Sequence, residues 1–164
     1  MTVLVEEILG HEAEPRFAGR RRERIEVRSE EAARSRLRRT TAEGTDVAIA
    51  LPRGSFLGQS AVLHDDGERI VVVERRAEPA LVIRLDSALP PELLVEQAAR
   101  VGHWAGNQHL LVEASAHEVR VRIATTPELT LRSARDLDLQ GADISVRDLP
   151  FALDRPPARE HVHG

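Results

Sequence analysis

The sequence contains no lysine, no cysteine and no tyrosine, and its aromatic residues are one tryptophan and three phenylalanines. The absence of cysteine excludes a disulfide framework, a thiolate metal site, an iron–sulfur cluster and a cysteine nucleophile. With so few aromatic side chains, a base-stacking platform for single-stranded nucleic acid is disfavoured. The seven histidines are therefore the side chains that can bind a transition metal as neutral ligands near pH 7.

Long hydrophobic runs are also missing, because no segment approaches about 18 consecutive apolar residues, and the sequence predicts no membrane span. Residues 1–10 include Glu6 and Glu7 and lack a basic region, which argues against a secretory signal peptide. We therefore expect a soluble cytoplasmic protein. Acidic residues outnumber arginines 27 to 23, and the resulting net charge of −4 disfavours a general polyanion binder.

The apolar content is sufficient for a core, since 41% of the 164 residues are hydrophobic, which suits one compact domain or two small ones. The first half alternates β-rich runs with turns and one short helical turn that Ser29 is expected to cap. The predicted strands are residues 2–8, 24–28, 46–51, 61–64 and 70–74, the last two forming a hairpin. This spacing predicts a small all-β domain over residues 1–76.

The second half predicts the order strand, helix, strand, strand, helix, strand, which is the ferredoxin-like βαββαβ pattern. The predicted elements are residues 81–85, 91–102, 109–113, 119–123, 127–137 and 143–146. Leu94, Ala98 and Val101 are expected to form the apolar face of the first helix. We place the domain boundary around Ala77-Glu78-Pro79, the second domain at residues 80–150, and a flexible histidine-containing tail at residues 151–164. The predicted fold class is α+β.

An arginine-rich segment, residues 16–39, contains ten arginines and only four glutamates. Arg20 to Arg22 are consecutive and are expected in an exposed loop. One interpretation is a surface for an anionic partner such as RNA. The other is a solvated face of the β-domain, in which neighbouring glutamates offset the positive potential of the arginines.

Three histidines are the candidate metal ligands. His109 follows Gly106-Asn107-Gln108, where a tight turn is expected to place it at the surface as the first residue of a strand. His161 and His163 lie two residues apart in the tail, so both can reach one ion. In a two-fold dimer, two copies of His109 could face each other and share that ion. Such a set predicts an exchangeable nitrogen-donor site for Ni, Cu or Zn.

The other histidines carry weaker signals. His103 lies at a predicted helix end, and whether it takes part in metal binding stays open. His11, His64 and His117 are expected to be surface residues in turns. No sequence motif of a hydrolase, zinc protease or deaminase is present, and the carboxylates suggest no pair at a cleft, so we expect no enzyme.

The order of these features resembles the UreE family of urease accessory proteins over nearly the whole chain. The matching stretches are Val5-Glu6-Glu7-Ile8-Leu9-Gly10, residues 29–38, Ala50-Leu51-Pro52-Arg53-Gly54-Ser55-Phe56-Leu57, residues 67–73, Gly106-Asn107-Gln108-His109 and Leu149-Pro150-Phe151. The most specific of them is Gly106-Asn107-Gln108-His109, which is similar to the family's Gly-Asn-Arg-His signature.

The resemblance implies an N-terminal β-domain of peptide-binding type and a C-terminal ferredoxin-like metal-binding domain that forms a homodimer. It implies that His109 of each subunit meets its symmetry mate at a nickel site, that His161 and His163 supplement this site, and that nickel passes to urease accessory proteins and apo-urease. The implied cargo is Ni(II), with Cu(II) and Zn(II) as further candidates.

The chain departs from the family pattern at three places. In the signature, Gln108 replaces the usual arginine and Leu111 stands where proline is common. Residues 121–125 carry no histidine pair, and the tail is short, with two histidines instead of a histidine-rich run. The alternative hypothesis is a two-domain adaptor or chaperone that binds a protein or RNA through its arginine-rich N-terminal domain, without metal. Nucleic acid is the less favoured partner because aromatic residues are scarce.

Overall fold

A computed structural model describes residues 1–151, which fall into two compact units, Met1–Arg76 and Ala77–Phe151. The predicted α+β class is confirmed, because these residues form eleven strands and two α-helices. The predicted tail lies outside the described residues, apart from Phe151. That residue is buried and not part of a free end. No helix within residues 1–151 has the length and apolar character needed to cross a membrane.

The N-terminal unit consists of two sheets. Its strands are β1 (Thr2–Val5), β2 (Gly10–His11), β3 (Arg21–Val27), β4 (Arg36–Thr40), β5 (Asp46–Ala50), β6 (Ala61–Asp65) and β7 (Arg69–Arg75). One sheet has the order β1-β5-β4 and the other the order β2-β6-β7-β3. Strand β1 pairs with β5, and β3 with β7, in parallel, whereas β6 and β7 form the predicted antiparallel hairpin.

Apolar residues that alternate along these strands build the core of the unit. On β3, Ile25 and Val27 are buried, while Glu26, which lies between them, and Arg24, which precedes them, are exposed. Because side chains of a strand point alternately to its two faces, this pattern places one face of β3 in the core. The expected loop at Arg20 to Arg22 was wrong: β3 begins at Arg21 and pairs with β7 over its whole length. The helical turn at Ser29–Glu31 is a 3₁₀ turn capped by Arg28, not by Ser29.

One carboxylate, Glu23, lies inside the N-terminal unit with only 1% of its surface exposed. It accepts hydrogen bonds from Arg69 Nη1 at 2.6 Å and Thr41 Oγ1 at 3.1 Å, and Arg69 also donates to Thr45 Oγ1 at 2.8 Å. Burial raises the pKa of Glu23, but the hydrogen bonds from Thr45, Arg69 and Thr41 outweigh this effect and hold the pKa below its usual range. The charged group thus ties β3 to β7 and to the turn between β4 and β5.

A second carboxylate makes the unit sensitive to acid. Arg38 donates to both oxygens of Asp46 at 2.9 and 2.7 Å, and Thr2 Oγ1 donates at 2.7 Å. The hydrogen bonds from Arg38 and Thr2 lower the pKa of Asp46 to about 2. A lowered pKa stabilises the fold above the unfolded-state pKa of about 4, and this contribution is lost as the pH falls towards 2.

We therefore expect the Asp46→Asn variant to lose less thermal stability than the wild type between pH 5 and pH 2. The melting temperature of both proteins, followed by circular dichroism across this range, measures the difference. Glu43→Gln is the matched control, because Glu43 is an exposed turn residue of the same unit. Identical pH profiles for Asp46→Asn and Glu43→Gln would contradict the assignment.

The C-terminal unit is a four-stranded sheet with two helices. Its elements are β8 (Ala77–Arg84), α1 (Pro91–Asn107), β9 (Val112–Ser115), β10 (Glu118–Arg122), α2 (Pro127–Arg135) and β11 (Asp143–Pro150). The strands are ordered β11-β8-β10-β9, and every neighbouring pair is antiparallel. Ala77, Glu78 and Pro79, expected at the domain boundary, form the start of β8 and pair with the end of β11.

Helix α1 differs from its prediction in length and in its buried face. It continues past Gly102 and Gly106 to Asn107, although glycine in a helix interior costs about 1 kcal/mol relative to alanine. Burial of Trp104 and Ala105 beyond Gly102 offsets this cost. The buried face also includes Gln97 and Val101, whereas Ala98, predicted to lie on it, is exposed.

Candidate metal centre

His109 lies just beyond the last turn of α1, in the structure that ends this helix. Its backbone N–H donates to the carbonyl of Gly106 at 3.0 Å, and the N–H of Leu110 donates to the carbonyl of Ala105 at 3.0 Å. This pair of bonds is a Schellman motif, in which Gln108 is the C-cap and His109 the next residue. The prediction that His109 opens a strand was wrong, because β9 begins three residues later, at Val112.

The Schellman motif requires a left-handed backbone at His109, where φ is +52°. Glycine usually occupies this position, since a Cβ atom costs roughly 1–2 kcal/mol in the left-handed region. The imidazole is exposed, while Leu110 beside it packs partly against the core of the unit. The helix end therefore holds the His109 backbone in place and directs its ring to solvent.

The electrostatics of this helix end favour a cation. The C-terminus of a helix carries a partial negative charge, worth about 0.3–1 kcal/mol to a nearby positive group. No basic side chain lies in the last turn of α1, so none competes for this field. A metal ion bound by His109 would thus sit at the favourable end of the helix dipole.

A hydrogen bond between the helices fixes the position of the α1 C-terminus. Trp104 Nε1 donates to Ser133 Oγ on α2 at 2.8 Å, and the indole is 8% exposed. The indole also packs in the core, so the last turn of α1 is held by both apolar and polar contacts. This contact was not predicted from the sequence, which assigned the helix end before Trp104.

His103 lies six residues before His109 on the exposed side of α1. Its Nε2 atom is 3.0 Å from Nδ2 of Asn107, one helical turn later. The Asn107 amide thus engages the Nε2 atom of His103 within the helix.

The remaining histidines of the described chain do not join His109. His117 is an exposed turn residue, as expected. The turn prediction was wrong for the other two, because His11 is exposed but belongs to β2, and His64 is half-buried in β6 beside a β-bulge. Within residues 1–151, no three histidine or carboxylate side chains come together as a metal-binding group. His161 and His163, the predicted auxiliary ligands, lie outside the described residues.

Most arginines of the arginine-rich segment form ion pairs. Seven of its arginines lie within 4.0 Å of a carboxylate: Arg16 with Glu14, Arg20 with Asp65, Arg21 with Glu23, Arg22 and Arg24 with Glu12, Arg38 with Asp46, and Arg39 with Glu31. Paired arginines expose less net positive potential than the sequence count suggests. The geometry therefore favours the solvated-face interpretation over an RNA surface for most of this segment.

Comparison of the chain with known proteins identifies one family. The pattern described as "UreE urease accessory protein, N-terminal domain" matches residues 5–76. The urease accessory protein UreE of Nostoc sp. is 31% identical over 124 residues, which cover 75% of this chain and 76% of that protein. UreE of Yersinia aldovae is 35% identical, and that of Yersinia pestis (strain Pestoides F) 34% identical, each over 102 residues that cover 58% of this chain.

The matched segment spans 44% of the length of each of these Yersinia proteins, but more than two thirds of the Nostoc protein. The family pattern ends at Arg76, the last residue of the N-terminal unit. This chain belongs to the UreE family of urease accessory proteins, and it is an accessory protein and not an enzyme.

Proposed function

We propose that this protein is a nickel metallochaperone that delivers Ni(II) for assembly of the urease active site. The observation that carries the proposal is the exposed imidazole of His109 at the C-terminus of α1, in a member of a family whose relatives are named urease accessory proteins. Its partners would be other urease accessory proteins and apo-urease, in the cytoplasm. The C-terminal unit, with its βαββαβ order, would act as the ferredoxin-like metal-binding domain.

One imidazole cannot retain a divalent ion, so the site requires further ligands. We infer that two chains form a homodimer in which both copies of His109 bind one ion. His161 and His163 would supply additional nitrogen ligands from residues 151–164. The two His109 imidazoles, together with His161 or His163 and water, form a ligand set that suits Ni(II), while Cu(II) and Zn(II) also accept such ligands.

Delivery of nickel depends on how easily a partner can displace the ligands of the bound ion. A site at a helix end, with ligands divided between two chains and two terminal segments, leaves coordination positions accessible from solvent. A partner that offers more ligands can then displace the imidazoles one at a time. Protons compete with the metal for the same nitrogens, so binding should weaken as the pH falls.

Calorimetric titration with Ni(II) tests the proposal. We expect the wild type to bind one ion per two chains, and the His109→Ala variant to bind it at least about tenfold more weakly, because both central ligands are lost together. His117→Ala is the matched control, since His117 is an exposed turn residue of the same unit. Unchanged stoichiometry and affinity in His109→Ala would refute the metal site.

The contribution of the terminal histidines is measured separately. A variant that ends at Asp154 lacks His161 and His163 but keeps the Schellman motif at His109. We expect it to retain one ion per two chains with reduced affinity, and sedimentation velocity should report a dimer. A monomeric wild type with one ion per chain would contradict the shared site.

A further inference from the structure

A cleft of about 640 Å³ opens in the N-terminal unit beside β3, β4, the 3₁₀ turn and the last part of β7. This volume lies within the range of small-molecule sites, which is about 300–1,000 Å³. Such sites are usually lined by apolar side chains, whereas most of the side chains that line this cleft are charged. The cleft therefore selects for a small and strongly polar ligand.

Two arginines of the cleft, Arg28 and Arg76, directly follow the parallel strands β3 and β7. The strands stay in register up to Val27 and Arg75, and the N–H of Arg76 donates to the Val27 carbonyl at 3.0 Å. The backbone of Arg28 is extended, with φ of −78° and ψ of 160°, so its side chain lies on the same face as Glu26, two residues earlier. Both arginines are exposed and line the cleft. Two guanidinium groups are thus presented side by side.

The protein supplies no counter-charge to this pair. Within residues 1–151 neither Arg28 nor Arg76 has a carboxylate within 4.0 Å, unlike Arg39 of the same cleft, which pairs with Glu31. Like charges on neighbouring strands repel each other, so an anion between them is favoured. A phosphate monoester carries a charge of about −1.5 to −2 near pH 7 and three acceptor oxygens, which matches two guanidinium groups better than a singly charged carboxylate or phosphodiester.

A pair of carboxylates lies next to the arginines in the same cleft. Glu26 and Glu74 are opposite each other in the β3–β7 register, and both line the cleft. They precede the arginines by two residues, a separation of about 7 Å along a strand. Ionised carboxylates only accept hydrogen bonds, so they bind hydroxyl groups and repel a second phosphate. The carboxylate pair therefore disfavours polyphosphates and RNA and favours a ligand with hydroxyl groups beyond its phosphate.

We propose that this cleft binds a phosphorylated sugar. The phosphate monoester lies between the guanidinium groups of Arg28 and Arg76. The sugar hydroxyl groups donate hydrogen bonds to Glu26 and Glu74. The described residues that line the cleft include no aromatic side chain to stack on a base, so the site suits a sugar phosphate better than a nucleotide.

The probes are glucose 6-phosphate, ribose 5-phosphate, inorganic phosphate and glucose, each titrated into the full-length protein by calorimetry. We expect at least one sugar phosphate to bind more tightly than inorganic phosphate, and glucose not to bind. The Arg28→Ala/Arg76→Ala double variant should bind that sugar phosphate at least about tenfold more weakly, since charge-assisted hydrogen bonds are lost. Arg36→Ala/Arg53→Ala is the matched control, because it removes the same charge from exposed positions of the same unit outside the cleft.

A second double variant, Glu26→Ala/Glu74→Ala, tests the role of the carboxylates. Without their repulsion, inorganic phosphate should bind more tightly than to the wild type, while the sugar phosphate should lose its advantage over inorganic phosphate. An unchanged ratio of these two affinities in this variant would refute the hydroxyl contacts.

Three other results would overturn the proposal. They are the absence of binding by both sugar phosphates, equal affinity of the two arginine double variants for the sugar phosphate, and tighter binding of pyrophosphate or single-stranded RNA than of either sugar phosphate. Because His109 does not line the cleft, each of these results is independent of the proposed metal site.

Discussion

The Glu23→Ala substitution is expected to destabilise the N-terminal unit by about 3 kcal/mol. Glu23 is 1% exposed and accepts hydrogen bonds from Arg69 and Thr41. Its removal leaves these donors without their buried acceptor and opens a cavity between β3 and β7. Hydrogen bonds to buried charged groups contribute about 1.5–3 kcal/mol each, and breaking a buried charge pair costs more than either bond alone. Urea denaturation of the full chain measures the change.

Glu26→Ala provides the control for this substitution. Glu26 is on the same strand and carries the same charge, but its side chain is exposed. A surface change of this kind is expected to alter the free energy of unfolding by less than about 0.5 kcal/mol. Glu23→Gln should fall between the two, because the amide retains an acceptor oxygen without the charge. Equal effects of Glu23→Ala and Glu26→Ala would show that the buried carboxylate does not join the strands.

The second large effect is expected at His109, where stability and metal binding should change in opposite directions. The His109→Gly variant removes the Cβ atom from a backbone with φ of +52°. Since glycine adopts this conformation without strain, we expect the C-terminal unit to gain about 1 kcal/mol. The same variant lacks the imidazole, so it should lose the tight Ni(II) site. Thermal unfolding and calorimetric titration measure the two effects on one preparation.

Two further variants test whether backbone strain at His109 causes the expected change in stability. His109→Ala keeps the Cβ atom, and His109→Asn introduces a residue that tolerates the left-handed conformation. The expected order of stability is glycine, then asparagine, then alanine, while all three variants should bind Ni(II) weakly. A glycine variant less stable than the alanine variant would show that the helix end does not strain His109. Tight nickel binding by any of the three would show that the imidazole is not the ligand.

Several elements could be predicted from the sequence because local chemistry decides them. The β6–β7 hairpin follows from two apolar runs around Asp65-Asp66-Gly67, where Asp66 accepts hydrogen bonds from the turn backbone and Gly67 has φ of +91°. Helix α2 begins at the predicted Pro127, which suits a first helical position because its missing N–H would have no partner there. These signals do not depend on distant residues.

Other elements could not be predicted because tertiary contacts decide them. Strand β4 contains three arginines in five residues and lacks an apolar pattern, yet β5 pairs with it and Asp46 binds Arg38. The end of α1 was misplaced because Gly102 appeared to be a stop signal. The buried indole of Trp104, held by Ser133 of α2, extends the helix past it.

The residue types that the sequence lacks determine the kind of chemistry open to this protein. Without cysteine, no thiolate is available to a transition metal and imidazole is the main neutral ligand that remains, a restriction that is independent of the fold. Only the tertiary structure decides which imidazole is presented. A helix-ending motif places His109 in the left-handed region and exposes its ring, because the packing of Trp104 and Leu110 determines where α1 ends. The sequence also contains the arginines of residues 16–39, but the fold decides which carboxylates they meet, as Arg38 meets Asp46 and Arg39 meets Glu31.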